Sequence, residues 1–194
     1  DPNIAADGQC SLMEAIVNAN NEAATFPDCP AGSGADTIVL PANANLTLSA
    51  VFGNTYGQGG SPVGLPPITS QITIEGNGAT IARQGNAPAF GLIFVKGSSS
   101  SSPGTPPTPG GDLTLRSLTL TGGSSFGGLL SNFGSAVSIE NGIITGNTGG
   151  GVSGSGTLTI AASTISGNTG RGVSSYGSLT TITASTISGN AGGG

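Results

Sequence analysis

Leu158–Gly170 reads LTIAASTISGNTG, and Thr181–Gly193 reads TITASTISGNAGG. The shared heptad ASTISGN stands at Ala162–Asn168 and again, 22 positions on, at Ala184–Asn190. Upstream, VSIENGIITGN from Val137 and LTLRSLTLTGG from Leu113 fall into the same register. Ile139, Ile160 and Ile182 fill one position of the unit, and Ile144, Ile165 and Ile187 a second. Gly146, Gly167 and Gly189 fill a third, and Asn147, Asn168 and Asn190 a fourth. Leu115 and Leu120 precede the two isoleucine series by 24 residues.

A period of roughly 20–50 residues marks a solenoid, a propeller or an array. This unit reads as two short strands with turns and no helical stretch. That excludes helical repeats, and the unit is too short for a four-stranded propeller blade. The expected fold class is all-β: a right-handed parallel β-helix with coils of 21–24 residues. The physics accounts for the repetition. Each coil lies about 4.8 Å above the last and shares backbone hydrogen bonds with it. Isoleucine then stacks on isoleucine, and a corner glycine with positive φ on another. A single coil cannot bury its own apolar edge, so neighbours must be added.

Outward from the repeat, the same strand pattern runs back to Asp36. ADTIVL, NLTLSAV and ITSQITIEGNGATIAR alternate apolar and polar residues, and AFGLIFVKG is a more continuous apolar run. Two stretches interrupt it: a glycine-rich one at 53–64 and KGSSSSSPGTPPTPGG at 96–111. Both read as flexible insertions that bulge from the coils. Residues 1–36 form an N-terminal cap, and 37–194 the coils. Within the cap, Ser11 and Glu14 make a capping box. Leu12, Ala15, Ile16 and Ala19 then follow at helical spacing.

Composition narrows the function. Glycine contributes 36 residues, histidine none, and charged residues 7%, against about 25% in an ordinary soluble domain. Four scattered basic residues and a formal charge of −5 disfavour nucleic acid, which needs clustered cations. No apolar run is long enough for a membrane span. Cys10 and Cys29 lie 19 residues apart, which fits neither a CxxC motif nor, without histidine, a zinc site. A disulfide and a pair of buried thiols are both open. The disulfide, with low charge and Ser/Thr richness, suits a secreted, extracellular setting. Asn45-Leu46-Thr47 matches the N-glycosylation sequon.

Each notable column has a plain and a functional reading. Asn147, Asn168 and Asn190 form either a ladder of amides, as in stacked cross-β arrays, or a polar groove for a ligand. The rows Thr159, Thr164, Ser166 and Thr181, Thr186, Ser188 are either the wet face of a strand or a flat hydroxyl array that binds ice or glycan. For catalysis, the coil body offers only Glu75, Asp112 and Glu140, expected far apart in register; glycoside hydrolysis needs a close carboxylate pair. Arg116 aligns one coil before Glu140, which predicts a salt bridge. No catalytic residue, metal site or cofactor is assigned, and the chain is expected not to be an enzyme.

The segments DGQCSLMEAIVNANN, DCPAGSGADTIVLP, GLPPITSQITIEGNGATI and GDLTLRSLTLTGG resemble the CSLREA-type N-terminal domain of bacterial extracellular proteins. Cys10, Ser11, Leu12, Glu14, Ala15 and Ile16 carry the likeness, and Met13 stands where that family usually has arginine. It spans about the first 125 residues, and STISGN resembles the family's coil repeat. The resemblance implies a secreted or surface-displayed, adhesin-like structural protein. Open β-helix ends expose unpaired backbone groups. The expected partner is therefore a second copy, added head to tail into a filament, unless the chain is a piece of a longer one. The alternatives are a glycan- or ice-binding adhesin and a polysaccharide lyase-like enzyme.

Overall fold

The computed structural model describes residues 3–55, 60–98, 109–176 and 179–194. Helix α1 (Leu12–Asn21) opens the chain. Coil 1 carries β1 (Asp36–Val39), β2 (Asn45–Leu48) and the strands β3 (Gly53–Asn54) and β4 (Pro62–Val63). Coil 2 is β5 (Gln71–Glu75), β6 (Thr80–Arg83) and β7 (Ile93–Val95). Coil 3 is β8 (Asp112–Arg116), β9 (Thr119–Thr121) and β10 (Leu129–Ser131). Coil 4 is β11 (Ala136–Glu140), β12 (Ile143–Thr145) and β13 (Val152–Gly154). Coil 5 is β14 (Thr157–Ala161), β15 (Thr164–Ser166) and β16 (Val173–Ser175). Coil 6 supplies β17 (Thr180–Thr183) and β18 (Thr186–Ser188).

The strands stack into three parallel sheets. Sheet 1 runs β1-β5-β8-β11-β14-β17, sheet 2 runs β2-β6-β9-β12-β15-β18, and sheet 3 runs β7-β10-β13-β16. The architecture is a right-handed parallel β-helix. The two ASTISGN copies lie on adjacent coils: Ile160 pairs with Ile182, and Ile165 with Ile187.

The unit differs from its sequence reading in one respect. Each of coils 2–5 has three strands, not two. Sheet 3 strands are three residues long. So short a strand barely shows alternation, and each is preceded by turn glycines.

The core is a set of columns. Ile74, Leu115, Ile139 and Ile160 stack and are buried on sheet 1. Ile81, Leu120, Ile144 and Ile165 do so on sheet 2. Ile93, Leu129 and Val152 do so on sheet 3. Each such side chain contributes roughly 1.5–3 kcal/mol by leaving water. The columns open at coil 6, where Ile182 is 41% exposed and Ile187 half-buried.

At the coil 1 end, α1 packs on β1 and β5 and adds Leu12, Met13, Ile16 and Ala19 to the same core. Its capping box is formed: the Glu14 N–H donates to Ser11 Oγ, and the Ser11 N–H to Glu14 Oε2. The third side of coil 1 is irregular. Bridges at Val63–Gly91 and Ile68–Val95 flank Pro66-Pro67, which has no N–H to offer a ladder.

The 53–64 segment also departs from expectation. Its two ends pair antiparallel, Gly53 with Val63 and Asn54 with Pro62, and Val63 is buried. Residues 56–59 lie outside the described residues, as do 99–108 of the second insertion. The neck of that insertion is closed by the Gly111 N–H donating to the Lys96 carbonyl at 2.8 Å.

Candidate functional site

Chemistry in this chain is arranged by column. Gly122, Gly146, Gly167 and Gly189 turn the corner after sheet 2 with φ between 61° and 73°. After the last three of these, that turn aims the following asparagine inward; Gly122 is followed by Gly123. Asn147 Nδ2 donates to Asn168 Oδ1 at 3.0 Å, and Asn168 Nδ2 to Asn190 Oδ1 at 2.9 Å. Each Oδ1 also accepts the backbone N–H of the residue one coil below: Gly123, Asn147 and Asn168 in turn. Each Nδ2 also donates to a sheet 2 carbonyl, of Leu120, Ile144 or Ile165. Asn147 and Asn168 are buried and offer no face to a ligand, while Asn190 on coil 6 is half-buried.

Serines form a second ladder at the corner between sheets 1 and 2. Ser163 Oγ accepts from the Gly142 N–H, and Ser185 Oγ from the Ser163 N–H, each at 3.0 Å. Both hydroxyls donate to a carbonyl two residues back, at Ala161 and Thr183. The residue before this ladder adopts the left-handed conformation in coils 2–6: Asn77, Ser117, Asn141, Ala162 and Ala184, with φ of 48–53°.

The outer faces differ. On sheet 1, Thr37, Thr73, Thr114, Ser138, Thr159 and Thr181 form an unbroken hydroxyl column. Sheet 2 stacks Thr121, Thr145, Ser166 and Ser188, while Ile143 interrupts its other row between Thr119 and Thr164.

The coil acids are not scattered as the repeat suggested. Glu75, Arg116 and Glu140 occupy one column on three successive coils. Arg116 Nη1 meets Glu75 Oε1 at 2.7 Å, and Arg116 Nε meets Glu140 Oε2 at 2.9 Å. These hydrogen bonds, Glu75 first and Glu140 second, hold the guanidinium above its ordinary pKa. Coil 2 hides this alignment in the sequence, because Gln71 and Asp112 pair across its insertion. Both carboxylates thus share one cation, and Asp112 starts a different column.

At the cap, Cys10 and Cys29 form a disulfide with Cα atoms 4.6 Å apart. Buried Asn18 ties down the turn-rich segment beside it. Its Nδ2 donates to the carbonyls of Phe26, Cys29 and Pro30, and its Oδ1 accepts from the Phe26 N–H. Among the described residues, no group of acids and cysteines has the spacing of a metal site. No described helix is long and apolar enough to cross a membrane.

A family model, the right-handed β-helix region, matches residues 70–194. The chain belongs to this β-helix family. No curated protein and no solved structure matches it.

Within the β-helix, the structure brings together Asn147, Asn168 and Asn190 by direct side-chain bonds. It stacks the six isoleucines singled out by the repeat into two columns. Sequence reasoning missed the serine ladder, although Ser163 and Ser185 stand inside the repeated heptad. It also missed Glu75 as a partner of Arg116, and Asn18 as the tether of the cap.

Proposed function

We propose that this β-helix is a non-catalytic structural protein of an extracellular or cell-surface assembly, a stiff rod built for length. The observation that carries this reading is the fate of its polar groups. The Asn and Ser columns are spent on cross-coil bonds, and the coil carboxylates Glu75 and Glu140 are bound to one arginine. A Cys10–Cys29 disulfide fits an oxidising compartment. The likeness to CSLREA-type surface proteins points the same way.

In its finer form the rod extends by head-to-tail contact into a filament. Ile182, exposed above buried Ile139 and Ile160, is a surface that a further coil covers, whether from this polypeptide or a neighbour. The test is negative-stain microscopy with light scattering across a concentration series. Rods whose length grows with concentration support the filament. Rods of constant length leave the structural role and discard self-assembly. Turnover of a uronate polymer, abolished by substituting Glu75 or Glu140, overturns the non-catalytic reading.

The hydroxyl column from Thr37 to Thr181 favours one second reading, an ice- or neutral-glycan-binding face. Inhibition of ice recrystallisation by the chain, lost in Thr114→Tyr/Thr159→Tyr, is its signature.

A further inference from the structure

The four cations of this chain are not used alike. Arg116 is clamped between Glu75 and Glu140. Arg83 donates to the carbonyls of Gly122, Gln84 and Ala87 and lies over the Phe90 ring. Lys96 and Arg171 have no side-chain hydrogen bond or ion pair among the described residues. Both stand on the outer side of sheet 3. Lys96 directly follows β7, and Arg171 precedes β16, three coil steps away, about 14 Å along the axis.

That face is also set apart by what it lacks and what it displays. The acids of the chain lie in the cap or on the sheet 1 strands, and none follows Glu140. So, in a chain of net charge −5, the strands of sheet 3 carry no Asp or Glu. Lys96 lines a groove of about 690 Å³ with Asn54, Asn132 and Phe133, and Phe133 is 74% exposed. Arg171 lines a second groove, about 320 Å³, with Tyr176, which is 61% exposed. Each groove therefore pairs an unneutralised cation with an exposed ring. The first adds amide groups that can both donate and accept.

We propose that the outer face of sheet 3 binds a linear acidic polysaccharide, whose sugar-borne carboxylates or sulfates meet Lys96 and Arg171. The aromatic rings take the apolar faces of the sugars, and the amides of Asn54 and Asn132 take their hydroxyls. Sparse, widely spaced charges on a polymer with apolar ring faces fit two cations far apart. The continuous phosphate run of a nucleic acid does not, because its affinity rests on many clustered cations. This face is distinct from the hydroxyl columns of sheets 1 and 2, and the proposal stands whether or not the rod forms filaments.

The test is native affinity electrophoresis of the full chain in gels containing polygalacturonate, its methyl-esterified form, heparin or single-stranded DNA. Polygalacturonate or heparin is expected to retard the chain, and added salt to weaken the effect. The methyl-esterified polymer and DNA are expected not to. Lys96→Gln/Arg171→Gln should weaken binding by roughly tenfold or more, the scale of a lost charge-assisted bond. Phe133→Ala should weaken it without changing net charge. Asn45→Asp/Ile143→Glu shifts net charge equally but lies on exposed positions of sheet 2, and should bind almost as the parent. Circular dichroism checks that each variant folds. No retardation by either acidic polymer overturns the proposal. So does equal loss in both double variants, or tighter binding to DNA than to the polysaccharides.

Discussion

Asn168 sits mid-column, and its amide serves neighbours on both sides. Its Oδ1 accepts two bonds from Asn147, and its Nδ2 donates to Ile144 and to Asn190. Asn168→Ala therefore strands several buried polar groups, each worth roughly 1–3 kcal/mol when unsatisfied. A loss of about 3 kcal/mol is expected in urea unfolding. Asn190, half-buried on coil 6, bonds through its side chain only toward coil 5 among the described residues, so Asn190→Ala should cost clearly less. Equal losses would show that the column is not coupled. Ala162 presents the opposite case. It holds φ of 49° where coils 2 and 4 use Asn77 and Asn141. A left-handed alanine costs roughly 1–2 kcal/mol, and glycine returns part of that as backbone entropy. Ala162→Gly should then raise stability by about 0.5–1 kcal/mol. A lower thermal midpoint would contradict it.

At the scale of elements, legibility followed strand length and loop length. The five-residue strands of sheet 1 alternate plainly, so Ile139 and Ile160 were readable as inward positions from spacing alone. Sheet 3 strands were not, because three residues bounded by glycines carry little period. A signal was present nonetheless: Gly128-Leu129, Gly151-Val152 and Gly172-Val173 recur with the coil. Those glycines answer a packing demand. A Cβ on Gly151 would lie against the Gly172 carbonyl, 2.7 Å from Ile165 Cγ2 and 3.2 Å from Asn168 Nδ2. Gly151→Ala should therefore destabilise by about 1–3 kcal/mol through overpacking. Unchanged stability would mean that sheet 3 yields easily at that corner. The Arg116–Glu140 pair was readable from its spacing, but Glu75's place in the same column was not, for another reason. Counting residues cannot align coils when one of them carries an insertion.

At the scale of the whole molecule, the core is covered differently at its first and sixth coils. Helix α1 and the Cys10–Cys29 disulfide finish the core at coil 1, and the core residues of coil 6 meet water. Cross-linking two residues 19 apart stabilises by roughly 3 kcal/mol in the chain-entropy picture. Reduction, or Cys10→Ser/Cys29→Ser, should lower stability by about that amount. It should also speed hydrogen exchange first in α1 and coil 1, since coils contact mainly their neighbours. Uniform acceleration through coil 5 would instead show that the cap nucleates the entire rod. Of the candidate surfaces, the hydroxyl rows were visible in the sequence because they repeat. Lys96, Phe133 and Arg171 were not, because each occurs once and only the winding brings them to one side.

Parallel stacking of coils in a common register has a consequence for inheritance. The 21-residue step from β11 to β14 leaves every column in register. Duplicating Ala136–Gly156 should thus add one complete storey, about 4.8 Å, without disturbing those above or below. Gain or loss of such a unit leaves the remaining register intact. The length of this rod is then a trait that can drift by whole steps while its cross-section stays constant.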